Sequence, residues 1–242
     1  MGCLSTGGVS TRRIDNPATT VQQHPESTPR IYESFRNDKD ADEILVFKSQ
    51  LTRHHERAML FLATTNPSSP QPILVKLAVG RHGDQVQRAL AAVQLAPVLF
   101  GKRELPGAPT AYVMEYLSPA SFGIAGWMTL FEFQQKHGLA PYKANIRAAL
   151  DQVLQVLAAG DWVHGDLRPP NILVKVDADG APEVGEHGMH QLRVLDFDWA
   201  GKHGEVRYPL YRNDGESWPA PRGALIEPRH DVETVDTWWR QL

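Results

Sequence analysis

Two stretches, WVHGDLRPPNILV at 162–174 and RVLDFDWAG at 193–201, constrain the fold of this chain more than anything else in it. NILVKV, which begins at Asn171, alternates as a half-buried strand does; Asp177-Ala178-Asp179-Gly180 reads as a turn, and 191–197 as the return strand. Such a hairpin brings Asp196 back beside Asn171, so two side chains far apart in sequence can share one metal ion. Asp166 precedes Asn171 in the same loop.

An aspartate, an asparagine and a second aspartate in this order suit phosphoryl transfer. That reaction asks little covalent chemistry of a protein and mostly needs positioning and charge neutralisation around an in-line displacement. One carboxylate must orient an acceptor hydroxyl and take its proton, the role that suits Asp166. Hard oxygen ligands must hold Mg²⁺ on the triphosphate, the role that suits Asn171 and Asp196. Asp198 offers a second oxygen ligand or a turn cap.

His164-Gly165-Asp166-Leu167-Arg168-Pro169-Pro170-Asn171 resembles the catalytic loop of the protein-kinase-like superfamily, and Asp196-Phe197-Asp198 resembles its metal-binding motif. Gly165 in place of an arginine and Asp198 in place of a glycine are similar to the aminoglycoside-phosphotransferase and choline-kinase branches. The continuations DFDWAGKHGEVRYPL (196–210) and SWPAPRGALIEPRHD (217–231) more closely resemble fungal-type kinase-like proteins. The resemblance spans roughly 44–242. It implies an α+β, two-lobed protein-kinase-like fold, with a small antiparallel-sheet N-lobe at 31–117 and a shortened, mainly helical C-lobe at 118–242. It also implies ATP and Mg²⁺ as cofactors, and a protein or small-molecule hydroxyl as acceptor.

Composition sets the outer bounds. With 242 residues, 42% of them hydrophobic, and a net charge of −3, the chain can bury one sizeable core or two small lobes and has no nucleic-acid-binding charge excess. Its one cysteine, Cys3, provides no disulfide framework, which favours a reducing, cytoplasmic setting. No apolar run approaches bilayer length. Residues 1–30 are rich in Ser, Thr, Pro and Gln without periodicity and read as a flexible tail. The tail opens Met1-Gly2-Cys3-Leu4-Ser5-Thr6, a match to the N-myristoylation pattern with a palmitoylatable cysteine beside the glycine. One myristoyl chain binds membrane with only about 10⁴ M⁻¹, so stable peripheral attachment would need both Gly2 and Cys3.

Three apolar segments at 44–51 (ILVFKSQL), 58–64 (AMLFLAT) and 73–79 (ILVKLAV) read as consecutive antiparallel strands. Lys76 lies in the third, where the resemblance implies a lysine that contacts nucleotide phosphates. An ammonium among aliphatics is costly to bury unpaired. A helix is expected at 84–95, with Val86, Leu90 and Val93 on one face. Its first turns offer Lys76 only Asp84, which is equally a candidate N-cap, while Gln85 and Gln87 stand where a glutamate would be expected. No glycine occurs between Gly8 and Gly80, so a glycine-rich phosphate loop is missing. Arg53 and Arg57, in the turn TRHHER, are alternative phosphate contacts, or simply a solvated turn. The segment 110–117 (TAYVMEYL) resembles the last strand of the lobe and the adenine-binding hinge, with Met114 at the back and Glu115, Tyr116 and Leu117 as the hinge.

Farther along, Ile146, Leu150, Val153, Leu154 and Leu157 share a helical face ending at Gly160, a C-terminal cap. His164 is expected to be structural, and Arg168 to neutralise the transferring phosphoryl group or to form a surface ion pair. His187 and His190 make a weak metal pair. Asp231, at the start of a helix carrying Trp238 and Trp239, resembles the aspartate that holds the catalytic loop from behind. Regulation through a phosphorylated activation loop is not expected, because Gly165 replaces the sensing arginine. These features leave three readings: an ATP-dependent kinase, a pseudokinase that binds partners without turnover, and an antibiotic-type small-molecule phosphotransferase. The support for the third is confined to the HGD and DFD variants.

Overall fold

The computed structural model describes residues 29, 31–51, 59–65, 70–185 and 188–241. Gly2, Cys3, Arg53, Arg57 and His187 lie outside them.

Seven strands form one antiparallel sheet: β1 (Ser34–Asn37), β2 (Asp42–Ile44), β3 (Val46–Leu51), β4 (Met59–Thr64), β5 (Pro72–Ala78), β6 (Leu99–Arg103) and β7 (Thr110–Glu115), in the order β2-β1-β6-β7-β5-β4-β3. The expected strands at 58–64 and 73–79 are β4 and β5. The expected 44–51 strand starts two residues later, as β3, because Ile44 closes the β1–β2 hairpin instead. That hairpin was not anticipated. Its pairing is carried by charged residues such as Arg36 and Asp42, and of its seven strand residues only Phe35 is buried.

Strand parity places the key lysine. Ile73, Val75 and Leu77 of β5 enter the core on one face of the sheet, with Phe35, Phe61, Ala63, Ala111 and Val113. Leu74 and Ala78 pack on the other face with Leu99, Tyr112 and Met114. Successive strand residues alternate faces, so Lys76 shares the second face and points toward the helical half. There α1 (Asp84–Ala92) buries Val86 and Leu90 in a core that also contains Leu150, Val153, Val194 and Phe197, so the helix belongs to both halves. α1 ends three residues before the expected boundary. Val93 is 44% exposed and Leu95 takes the buried place, because Gln94 turns left-handed at φ 58° and redirects the chain.

The helical half contains β8 (Gly126–Thr129), α2 (Leu130–His137), α3 (Lys143–Ala159), β9 (Trp162–Val163), β10 (Ile172–Val176), β11 (Leu192–Val194), β12 (Gly201–Lys202) and α4 (Pro228–Arg240). Thr129 and Glu132 close a capping box on α2, satisfying two orphan amides at once. α3 buries Ile146, Ala149, Leu150, Val153 and Leu157 and stops at Gly160. That glycine is needed for space, since a Cβ there would overlap the Trp162 indole; the left-handed residue is the next one, Asp161, at φ 54°.

Gly101 has a similar steric role in the sheet. A Cβ on it would overlap the Arg36 carbonyl and sit 2.9 Å from the Phe35 ring, which together hold β1 against β6. Gly101→Ala should therefore cost about 2 kcal/mol by overpacking, a fall in Tm of roughly 4–8 °C. Thermal unfolding, with hydrogen exchange at 34–44, checks this. An unchanged melt with unchanged protection of the hairpin would contradict the close approach.

Candidate functional site

The loop from β9 to β10 is pinned from behind by one carboxylate. Asp231, in the first turn of α4, accepts the His164 amide at 2.7 Å through Oδ2 and the Gly165 amide at 2.8 Å through Oδ1. It is 2% exposed; burial pushes its pKa up, opposed by the His164 ring and by those two amides. Gly165 has φ 82°, a conformation that disfavours a side chain, and its Cα faces Ile226 and Trp199. His164 is fully buried: its Nε2 pairs with the Leu195 carbonyl at 3.0 Å, and its Nδ1 with the Asp166 amide at 3.2 Å. The indole of Trp238 donates to the Leu167 carbonyl at 2.8 Å. Sequence alone pointed to the helix carrying this tryptophan but not to its bond.

Held this way, the loop presents Asp166 to a compact polar cluster. Asn171 Nδ2 donates to Asp166 Oδ2 at 2.8 Å and to its carbonyl at 3.0 Å. Arg168 forks onto the same carboxylate, Nε to Oδ1 and Nη2 to Oδ2. A third guanidinium nitrogen meets Glu216 at 2.9 Å, and the group lies 4.8 Å from the Trp218 ring. Arg168 is thus no loose surface pair. Burial works against its charge, but Asp166 and Glu216 more than compensate and raise its pKa. Glu216 carried no sequence signal, and Trp218, though it falls in the 217–231 stretch, had no partner assigned, since the spacing of this loop says nothing about what folds over the catalytic loop.

The hairpin forms, but with a return strand shorter than the expected 191–197: β11 covers Leu192–Val194, and the left-handed Asp196 leads into a 3-10 turn at Phe197–Trp199. β10 pairs antiparallel with β11, and the Leu195 amide bonds to the Asn171 carbonyl at 2.8 Å, which brings the segment leading into Asp196 beside Asn171. Asp177 Oδ1 accepts from the amides of Asp179 and Ala181 to close the far turn. Asp196 is left-handed, at φ 62° and ψ 71°, a costly geometry for a residue with a Cβ. Its side chain remains 46% exposed while its Oδ1 lies 2.8 Å from Lys76 Nζ.

Lys76 has two carboxylates rather than one. Asp198 Oδ1 lies 2.6 Å from its Nζ, in addition to Asp196 Oδ1. Desolvation lowers the Lys76 pKa, yet the charges of Asp196 and then Asp198 outweigh it and raise the pKa overall. Asp198 is pushed up by burial, but the His82 hydrogen bond and the Lys76 ammonium bring it down to about 2. Asp84 is not the partner of Lys76: it pairs with Lys102 at 3.6 Å. It is not the N-cap of α1 either, because Gly83 occupies that position.

Met114, 6% exposed, packs beneath this face with Leu74, Ala78 and Leu99. Glu115, Tyr116 and Leu117 follow β7 into the helical half; Glu115 exchanges bonds with Val98 through its amide at 2.8 Å and its carboxylate at 3.2 Å. His190 is buried beside Tyr142, and burial lowers its pKa. Among the described residues no group of three or more His, Cys, Asp or Glu is arranged to hold a metal by protein side chains alone. Likewise, among them no helix is long and apolar enough to cross a membrane.

The donor set nevertheless suits a dication bound jointly with phosphate. Two carboxylates, Asp196 and Asp198, face the single Lys76 ammonium, which leaves negative charge in excess and hard oxygens of the kind a dication takes.

No family model and no curated protein matches the chain. Among solved structures, the kinase PK-1 of Cydia pomonella granulovirus is similar at a TM-score of 0.57 and 16% identity, over 81% of this chain and 67% of its own. ROP2 from Toxoplasma gondii, a virulence factor with a protein-kinase fold and no enzymatic activity, is similar at a TM-score of 0.50 and 14% identity, over 85% of this chain and 66% of its own. Identities this low speak to fold alone. The chain has a two-lobed α+β protein-kinase-like fold, with an antiparallel-sheet lobe above a mainly helical one.

Proposed function

We propose that the protein is an ATP-dependent phosphotransferase acting on a hydroxyl of a protein (Ser/Thr) or of another acceptor. The observation that carries this reading is the convergence of Lys76 from the sheet lobe on Asp196, next to the Asp166–Asn171 pair of the helical lobe. Asp166 takes the acceptor proton as the acceptor oxygen bonds to the γ-phosphorus and the bond to the departing ADP breaks. Lys76 and Arg168 offset charge on the phosphates. Asn171 and Asp196 would hold Mg²⁺, which when bound neutralises the β- and γ-phosphate oxygens. Met114 and the 115–117 hinge would receive the adenine. The fungal-type motif resemblance, a cytoplasmic location and membrane attachment through Gly2 and Cys3 belong to the same proposal.

One observation favours a binding module without turnover: Arg168, braced by Glu216 and Trp218, covers the carboxylate that must act as base. Thermal shift tests the first requirement of catalysis. ATP with Mg²⁺ near 100 times its Kd should stabilise the wild type by about 2.7 kcal/mol, and ATP with chelator much less. Asp196→Asn should remove most of that difference. A wild-type melt indifferent to Mg·ATP at millimolar concentration would reject the phosphotransferase reading.

A further inference from the structure

α1 brings no carboxylate to Lys76, yet it is tied to that lysine by a different route. Gln87, on the buried face of α1, is fully buried. Its Nε2 donates to the Pro97 carbonyl at 3.0 Å, which orients the amide so that Oε1 faces His82 Nε2 at 2.7 Å. The His82 ring is 1% exposed, lies tilted against Tyr112 with centroids 4.2 Å apart, and meets Phe197 edge-on. Its other nitrogen, Nδ1, faces Asp198 Oδ1 at 3.4 Å, the same oxygen that receives Lys76 at 2.6 Å. The backbone repeats the connection. The Gly83 amide donates to the Phe197 carbonyl at 2.8 Å, and a Cβ on Gly83 would come within 2.7 Å of Ala200.

A carboxylate on α1 would need to reach Lys76 directly. Here the second aspartate of Asp196-Phe197-Asp198 provides the anion, and α1 holds that anion through the His82 ring, which, with an oxygen acceptor on each side, holds both by donating from both nitrogens. We propose that His82 and Gln87 are positioning residues that take the place of an α1 glutamate, fixing Asp198 and through it the ammonium of Lys76 at the phosphate-binding face. This rests on reading Lys76 as the phosphate-contacting lysine, but the relay itself can be tested without nucleotide. It also accounts for Gln87 as a buried amide: a shorter or apolar side chain would leave both the Pro97 carbonyl and His82 Nε2 without a partner.

The test is competitive acylation of the folded protein with limiting acetic anhydride, reading each lysine by mass spectrometry with Lys175 as internal reference. Lys76 should react slowly in the wild type. His82→Ala and Gln87→Leu should each raise the Lys76-to-Lys175 ratio about fivefold, as coupled neighbours do. His82→Asn, whose amide nitrogen can stand in for Nδ1, should restore most of the protection. Asp198→Asn should give a similar rise, and adding His82→Ala to it should give little more. An unchanged ratio in His82→Ala would overturn the relay, as would effects of His82→Ala and Asp198→Asn that simply multiply. Should His82→Ala fail to fold, Gln87→Leu decides by the same ratio. Loosening of the whole fold would raise Lys175 in parallel, leave the ratio flat and count against the proposal. Mg·ATP titration of the wild type, run alongside, judges the phosphotransferase reading separately: absent nucleotide binding rejects that reading, while the acylation ratio still decides the relay.

Discussion

Replacing Asp231 with alanine is expected to destabilise the protein by about 3 kcal/mol, the cost of leaving two buried amides unpaired. The carboxylate accepts from the two consecutive amides of His164 and Gly165, one on each oxygen. Part of the loss is offset, because burying the charge is itself unfavourable, as the upward push on the Asp231 pKa indicates. Asp231→Asn keeps one acceptor but turns an NH₂ toward the second amide, so it should cost about half as much. The consequence reaches the site through His164, whose ring joins Leu195 to the Asp166 amide. Urea unfolding of wild type and both variants measures the effect as a fall in the midpoint. Midpoints equal to wild type in both variants would mean that α4 does not anchor the loop.

The parts of this fold legible in the sequence were those governed by local rules. The apolar spacing of α3, the alternation of β4 and β5, and the turn at Asp177 each follow from short-range periodicity or side-chain-to-backbone bonding. The β1–β2 hairpin was illegible because an edge pair held by Arg36, Asp42 and their neighbours offers no hydrophobic alternation. Val93 was placed on the wrong face of α1 because helical periodicity cannot foresee where a left-handed residue such as Gln94 will stop it. In the candidate site, residue types and their order singled out Asp166 and Asn171, which the structure pairs, and Asp196 and Lys76, which it also pairs. Their partners were another matter. The His82–Asp198 and Arg168–Glu216 contacts join segments far apart in the chain, and no spacing rule connects them. Asp84 looked suitable for Lys76 only because it was the nearest acid on the next helix; strand parity and the docking of Gly83 on Phe197 turn Lys76 toward Asp196 and Asp198 instead.

Asp166→Asn should lower turnover by about 10³-fold, the usual worth of a positioned general base, while leaving Mg·ATP affinity within roughly a factor of two. Affinity is expected to be spared because the proposed site gives Asp166 no contact of its own to nucleotide or metal; its carboxylate bonds to Arg168 and Asn171, which would keep their own contacts to phosphate and Mg²⁺. The substitution is nearly isosteric, but an amide cannot accept the Arg168 fork at both oxygens and the Asn171 amide as well. One of those bonds is lost, with a stability cost of about 1 kcal/mol that a melt would register. Single-turnover transfer to water or to an added hydroxyl acceptor, compared with equilibrium nucleotide binding, separates the two effects. Turnover surviving in Asp166→Asn would place the base elsewhere. The same pair of measurements discriminates against the binding-module reading, under which the wild type already transfers nothing because Arg168 stays clamped on the carboxylate by Glu216 and Trp218. In that case Asp166→Asn and wild type would match in both transfer and nucleotide affinity, whereas an operating base requires the guanidinium to leave Asp166 and the two proteins to differ in transfer alone.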